Sequence, residues 1–317
     1  MSTKIELKND RPELGLVCIT YSDAVRYRAL TRKRLLQFET PKQTAMLRDL
    51  YADNLARLNL AIDFCRNNRI KLYRLTSALF PFADTEIGAN VLDEIADDVR
   101  RTGERAIEQG LRIVLHPDQF CVLSSDSPHV IENSILILNT HARIFDTLGL
   151  PRSTWAAMNI HGGKGDRADR LVSVIRDLPD GIRTRLVLEN DEHAYTSAQI
   201  LDVCQRAGVP MCFDVHHHIC QGSYPSYEHE SVPYFLDAAR ETWGQHAAWQ
   251  LTHISNGAEY MQDPKHAHFV HNMPSSYERA PWVEVEAKGK EEAIMKLREE
   301  WQQVKVGIRK AEGGMGD

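Results

Sequence analysis

No stretch of this sequence is apolar for long enough to suggest a membrane span; none approaches the roughly 18–20 residues that a bilayer demands. The leading segment MSTKIELKNDRPELG lacks the apolar core of a secretory signal, so the cytoplasm is the expected compartment, at the nucleoid in a prokaryote. Cysteine is sparse. The six present, Cys18, Cys65, Cys121, Cys204, Cys212 and Cys220, form no CxxC pair, which sets zinc-finger chemistry aside and suggests reduced, mostly buried thiols. Low-complexity tracts, Pro/Ser linkers and close internal repeats are also missing. A basic excess is missing too: 38 Lys and Arg face 44 Asp and Glu, for a net charge of −6. That balance weighs against a phosphate-rich partner unless the cations cluster or bound divalent ions offset the charge. They do cluster, in Arg26-Tyr27-Arg28 through Arg32-Lys33-Arg34 and in Lys164-Gly165-Asp166-Arg167, although a solvated helix face explains such runs equally well.

What is present is an ordinary globular composition, 43% hydrophobic and 26% charged over 317 residues, enough for a sizeable core. Short apolar, β-branched runs recur: LGLVCIT (14–20), IKLYRLT (70–76), LRIVLH (111–116), WAAMNIH (155–161), TRLVLEN (184–190), VPMCFDV (209–215), AWQLTHIS (248–255) and PWVEVEAK (281–288). Between them lie segments with helical periodicity, such as MLRDLYADNLARLNLAIDFCRNN. Strand and helix signals in alternation predict parallel βαβ units. The number of runs favours a single-domain α/β fold, the (β/α)8 TIM barrel, over a doubly wound open sheet. The barrel is expected over 14–310, with an N-terminal extension at 1–13, a closing helix over 291–310 and a flexible tail at 311–317. Gly110, Gly149, Gly181 and Gly208, each shortly before a strand run, are expected to cap helices in the left-handed conformation.

The strand tips carry the chemistry. His116, His161, Glu189, Asp214, His253 and Glu286 fall at or near the ends of the third to eighth runs. In a barrel those ends converge on one mouth, where active sites of this fold lie. A single histidine or carboxylate at a strand end has structural explanations, such as a satisfied polar group or a helix cap. A whole ring of them predicts a divalent-metal site, and mixed N/O donors suit Zn²⁺, Mn²⁺ or a similar ion. Glu189 is a natural bridging carboxylate. Ions held a few ångströms apart in this way serve in-line phosphoryl displacement. His216-His217-His218, His266 and His268 extend the set, with at least one of the three adjacent histidines expected to face away.

The motifs LYRLTSALFP, HPDQFCVLSSDSP, NIHGGKGDR, LVLENDE, FDVHHH, THIS and EVEAKGKEEA resemble, in this order, those of the UV damage endonucleases, DNA-repair enzymes of the endonuclease IV-like barrel superfamily. The resemblance runs from about residue 14 to 293 and implies nicking of duplex DNA immediately 5′ of UV photoproducts (cyclobutane dimers, 6-4 products), leaving 3′-hydroxyl and 5′-phosphate ends. It implies two or three divalent ions, manganese favoured, with Zn²⁺, Co²⁺ or Mg²⁺ compatible. By the same resemblance His116, His161 and Glu189 would hold one ion, and Glu189, Asp214, His253 and Glu286 a second. His217 and His266 would hold a third, with His268 as a further candidate. Gln119 and Phe120 match a Gln-Tyr pair thought to wedge into the damaged duplex, where a flat ring can fill an unstacked gap. Gly162-Gly163-Lys164-Gly165 would let backbone approach a phosphate, with Lys164 and Arg167 supplying charge. Arg74 is a candidate phosphate contact or a structural salt bridge.

The sequence departs from the family pattern where a lysine is common before the strand-seven histidine (here Leu251), at Leu16 and Thr20 on strand one, and at Ala83-Asp84. All are expected near the substrate side, which touches lesion range rather than the metal ring. The expected enzyme is a monomeric, metal-dependent endodeoxyribonuclease that needs no separate general base. An abasic-site endonuclease and a sugar isomerase or epimerase of the same superfamily are the rival enzymes, and a non-catalytic damage sensor is the rival binding module.

Overall fold

The computed structural model describes residues 11–117 and 121–300. Its strands are β1 (Glu13–Val17), β2 (Leu72–Leu75), β3 (Arg112–Leu115), β4 (Met158–His161), β5 (Leu186–Glu189), β6 (Met211–Asp214), β7 (Leu251–Ile254) and β8 (Trp282–Val285). They pair in chain order and close on themselves as a barrel. Every pairing is parallel, and β1 lies against both β2 and β8, which excludes the open sheet. Helices fill the connections, among them Thr40–Asn67, Ala96–Glu108, Pro128–Thr147, Ala168–Arg176, Ser197–Ala207 and Ser231–Thr242. The closing helix begins at residue 291 and is described as far as 300, so its predicted end lies outside the described residues, as do the 1–10 extension and the 311–317 tail.

Local signals explain several boundaries. Helix Ser197–Ala207 starts with a reciprocal capping box between Thr196 and Gln199 and stops at Gly208, whose φ of 73° only glycine adopts cheaply. Gly110 and Gly149 also take positive φ, as expected. Gly181 does not. It lies inside the short helix Asp180–Arg183, because Pro179 starts a new turn there.

Strand residues alternate between two faces, and the two faces differ in kind. Outward side chains such as Leu16, Tyr73, Ile160, Leu188 and Phe213 join the layer packed against the helices. Inward side chains stack along the barrel axis. At the floor Arg112 lies between the rings of Trp155 and Trp282. Above it Leu72, Val114, Ala157, Val187, Cys212 and Leu251 form a separate apolar plug with Trp243. Each aliphatic side chain fully buried this way stabilises the fold by about 1.5–3 kcal/mol. The plug leaves only the upper ends of the strands for polar chemistry.

Candidate metal centre

Strand length and period decide what reaches the mouth. His161, Glu189 and Asp214 are the final residues of β4, β5 and β6. His116 and Glu286 follow β3 and β8 directly, and His253 is the inward residue near the end of β7. Register aligns them: His161 lies beside Glu189, and Asp214 beside His253. Asp214 has a second task, since its Oδ1 accepts the backbone N–H of His217 and caps the helix Val215–Gly222. That cap swings His217 back over the mouth.

Glu189 is the centre of the arrangement. Its Oε2 stands 3.4 Å from His116 Nε2 and 3.7 Å from His161 Nε2. Its Oε1 stands 3.0 Å from His253 Nδ1 and 3.3 Å from His217 Nδ1. One buried carboxylate thus presents each oxygen to a different pair of imidazoles, the disposition of a bridging ligand. Ligand atoms close enough to share an ion occur in His116–His161–Glu189, Glu189–Asp214–His217 and Asp214–His253–Glu286, and Glu189 and His253 form a further set with the Cys212 thiol.

Buried partners orient these donors. The Asn159 side-chain amide donates to Glu189 Oε2. His116 Nδ1 lies 2.9 Å from the Pro117 carbonyl, so a proton held there leaves Nε2 facing Glu189. His253 Nε2 lies 2.5 Å from Glu284 Oε2, which turns Nδ1 toward Glu189 and Glu286. A metal-ligating histidine held from behind by a carboxylate is a recurrent arrangement. Arg74 lies between Glu284 and Glu286 and pairs with both.

The charges do not balance without help. Glu284 and Glu286 pair with the one fixed charge of Arg74, while Glu189 and Asp214 lie among imidazoles. Burial disfavours imidazolium at His253, yet Cys212, Glu189, Glu284 and Glu286 together hold it well above the usual histidine range. His217 is raised in the same way, against its burial, by Asp214 and then Glu189. Burial also opposes charge on Glu189, but His253 and His161 hold it well below the carboxylate range. Asp214 supplies the decisive observation: its Oδ2 is fully buried and has no hydrogen-bond partner, with His217 and His253 nitrogens 3.9 and 4.0 Å away. A bare buried carboxylate oxygen is costly unless something cationic meets it. The donor set fits divalent ions.

The other expected residues divide. His266 donates from Nδ1 to the Glu286 carbonyl and lies edge-on to His216, so the structure groups His217 with Glu189 and Asp214 and leaves His266 beside them. His268 turns away toward Glu292. His216 binds the Tyr227 hydroxyl and the Asp263 carbonyl, and His218 binds Ser197 and Ser231, so of the three adjacent histidines His217 alone enters the cluster. Arg74 is 7% exposed and its charge is met inside the barrel, which makes it the salt bridge and not an outward phosphate contact. Lys164 and Arg167 lie at the rim, both paired with Asp126. The glycine loop is packed against protein: a Cβ on Gly163 would meet Ser124 Oγ at 2.8 Å. Gln119 and Phe120 lie outside the described residues. Leu16 faces the helix layer, and Leu251 lies in the apolar plug one layer below His253, so neither borders the substrate side. Thr20 is buried, and its hydroxyl accepts the Val25 N–H in a turn.

Sequence reasoning missed Asn159, Glu284 and Cys212. Each lies two residues before an expected ligand, on the same face and one layer deeper, so strand alternation alone points to them.

Comparisons with known proteins identify the family. The profile of the family described as UV-endonuclease UvdE matches residues 12–312. A protein of Nostoc sp. named UV DNA damage endonuclease is 52% identical over 296 residues, covering 93% of this chain and 92% of the relative. A protein of the same name from Deinococcus radiodurans is 45% identical over 290 residues, covering 90% and 95%. The crystal structure of SacUVDE shares the fold, with a TM-score of 0.74 at 23% identity over 93% of this chain and 99% of that one. The chain belongs to the UV-endonuclease UvdE family.

Proposed function

With that membership as its premise, we propose that this protein is a metal-dependent repair endonuclease. It nicks duplex DNA immediately 5′ of UV photoproducts, cyclobutane dimers and 6-4 products, to leave 3′-hydroxyl and 5′-phosphate ends. The names of its relatives and the buried Glu189 bridge support the reading. Glu189 is the observation that carries it, because a carboxylate with each oxygen among different imidazoles suits ions set side by side along one phosphodiester. His116 and His161 would hold an ion with Glu189; Asp214, His253 and Glu286 would hold another; and His217 would join Asp214 and Glu189. Manganese suits this nitrogen- and oxygen-donor set. When bound, such ions supply the Lewis acidity that polarises the scissile phosphate and assists its attack by water.

The chain's own residues position everything else. Asn159 and Glu284 fix the carboxylate and imidazole faces toward the mouth. A cavity of about 440 Å³ opens beside His116 and His161, with Lys164 on its wall, so that a DNA backbone reaches donors and cations together. Gln119 and Phe120 are proposed as the wedge that takes up the unstacked lesion. Among the described residues no helix is long and apolar enough to cross a membrane.

The test is a nicking assay on UV-irradiated, abasic and undamaged duplexes, each with Mn²⁺, Mg²⁺ or EDTA. The reading expects incision of the irradiated duplex with Mn²⁺ and none with EDTA. Incision confined to the abasic duplex, or conversion of a keto sugar without nicking, overturns it.

A further inference from the structure

Lys164, on the wall of the cavity beside His116 and His161, shares one carboxylate, Asp126, with two arginines. Asp126 Oδ1 accepts from Arg167 Nε at 2.7 Å and from Arg170 Nη1 at 2.6 Å. Its Oδ2 pairs with Lys164 Nζ and lies 3.3 Å from Arg167 Nη2. The sequence pattern does not single out Arg170. We propose that Lys164, Arg167 and Arg170 form one binding site for a DNA backbone phosphate, and that Asp126 fills it as an internal anion until duplex DNA displaces it. The proposal rests on the endonuclease reading above and names how that site engages undamaged as well as damaged backbone.

Several features support it. A carboxylate with both oxygens shared among converging guanidinium and ammonium groups presents the same charge and oxygen geometry as two oxygens of a phosphodiester. The cations are 36–52% exposed and Asp126 is 41% exposed, so a phosphate can reach them. Their charges are not cancelled by the one carboxylate, whose pKa Arg167, Lys164 and Arg170 hold well below the usual carboxylate range. The site is also built to hold its place. The Lys164 N–H donates to Ser124 Oγ, Ser124 Oγ donates to the Gly162 carbonyl, and Arg170 donates to the Ser125 carbonyl. These bonds tie the two loops together, while Lys164 shares its cavity with His116 and His161. A phosphate bound here therefore lies on the same path as the one presented to the metal cluster. In a chain of net charge −6, an internal anion on this patch also lowers its affinity for the backbone of intact DNA.

The competing account makes Asp126 a staple between loops and nothing more. Binding of a labelled, undamaged duplex to full-length, metal-loaded protein, followed by anisotropy over a KCl series, separates the two. Each phosphate contact contributes ~0.9 to the slope of log affinity against log salt. Arg170→Gln should bind more weakly with a slope flatter by ~0.9, and Asp126→Asn should bind more tightly with a steeper slope. Thermal melts of both variants monitor folding. Asp126→Asn that melts earlier but binds with unchanged or weaker affinity overturns the proposal in favour of the staple. Unchanged slopes in both variants overturn it while the endonuclease reading stands. A wild-type protein that neither binds duplex nor nicks irradiated plasmid overturns both.

Discussion

The barrel buries an arginine at each end, and the two are treated in opposite ways. Near the mouth Arg74 lies between Glu284 and Glu286, and although burial opposes its charge, those carboxylates hold its pKa above the ordinary arginine value. At the floor Arg112 donates to the carbonyls of Trp155 and Thr154 and lies between two indole faces, and burial pulls its pKa down to about 9. One arginine belongs to an ionic network that positions ligands; the other seals an aromatic plug. Burial is the same in both. The neighbours decide whether a polar group serves chemistry or packing, so substitutions at the two ends should separate activity from stability.

The largest effect is expected at the mouth. Glu189→Gln keeps the shape but removes the carboxylate charge, and if the proposed metal centre holds, loss of several kcal/mol of metal-derived stabilisation should lower nicking of irradiated plasmid by roughly a thousand-fold. Circular dichroism should show the fold intact. Retention of near wild-type nicking would falsify the metal-centre account. Next is Glu284→Gln, which touches no substrate but loosens His253. A fall of about 10–100-fold in metal affinity, read by titration calorimetry, is expected of such a positioning residue. Rescue of its activity by excess Mn²⁺ distinguishes positioning from damage to the fold.

At the floor the pattern should invert. Arg112→Met leaves the Trp155 and Thr154 carbonyls without their donor and removes the cation from the indole faces. Stability should fall by about 1–3 kcal/mol in urea unfolding, with nicking per folded molecule unchanged. A variant of full stability and low activity would break the division between mouth and floor.

The narrowest effect, visible only at acidic pH, concerns histidines in the wall. His141 is buried in helix Pro128–Thr147, and burial alone pushes its pKa down to about 4, whereas His253, equally buried, is raised by carboxylates. A histidine kept neutral in the fold but free to protonate when unfolded contributes no penalty above its unfolded pKa of about 6.5. Stability should decline as pH falls from about 6.5 toward 4, by at most ~1.4 kcal/mol per pH unit for that one group. His141→Leu should flatten this part of the stability–pH curve; an identical slope would contradict the assignment.

The ring of ligands was legible because each donor ends a β-branched run, and barrel closure brings such ends together. Glu284 and Asn159 were equally legible from the two-residue period, once the layer beneath the ligands is read along with the ligands themselves. Other features depend on contacts too distant in the chain for local pattern to reveal. Arg74 meets Glu286 across 212 positions, and Asp126 meets Arg167 across 41. Leu251 was expected near the substrate side, but it lies in the apolar plug one layer beneath His253. The glycine loop looked open, yet Ser124 and Val122 fill its space.

Glu189 as a bridge between ions is the central claim, and manganese stoichiometry tests it most directly. Metal-stripped wild type and Glu189→Gln would each be titrated with Mn²⁺ and the bound ions counted per folded chain. The account predicts more than one ion per wild-type chain, with at least one lost in Glu189→Gln together with nicking. A wild type that saturates with a single ion, or a Glu189→Gln protein that retains the full complement, would contradict it.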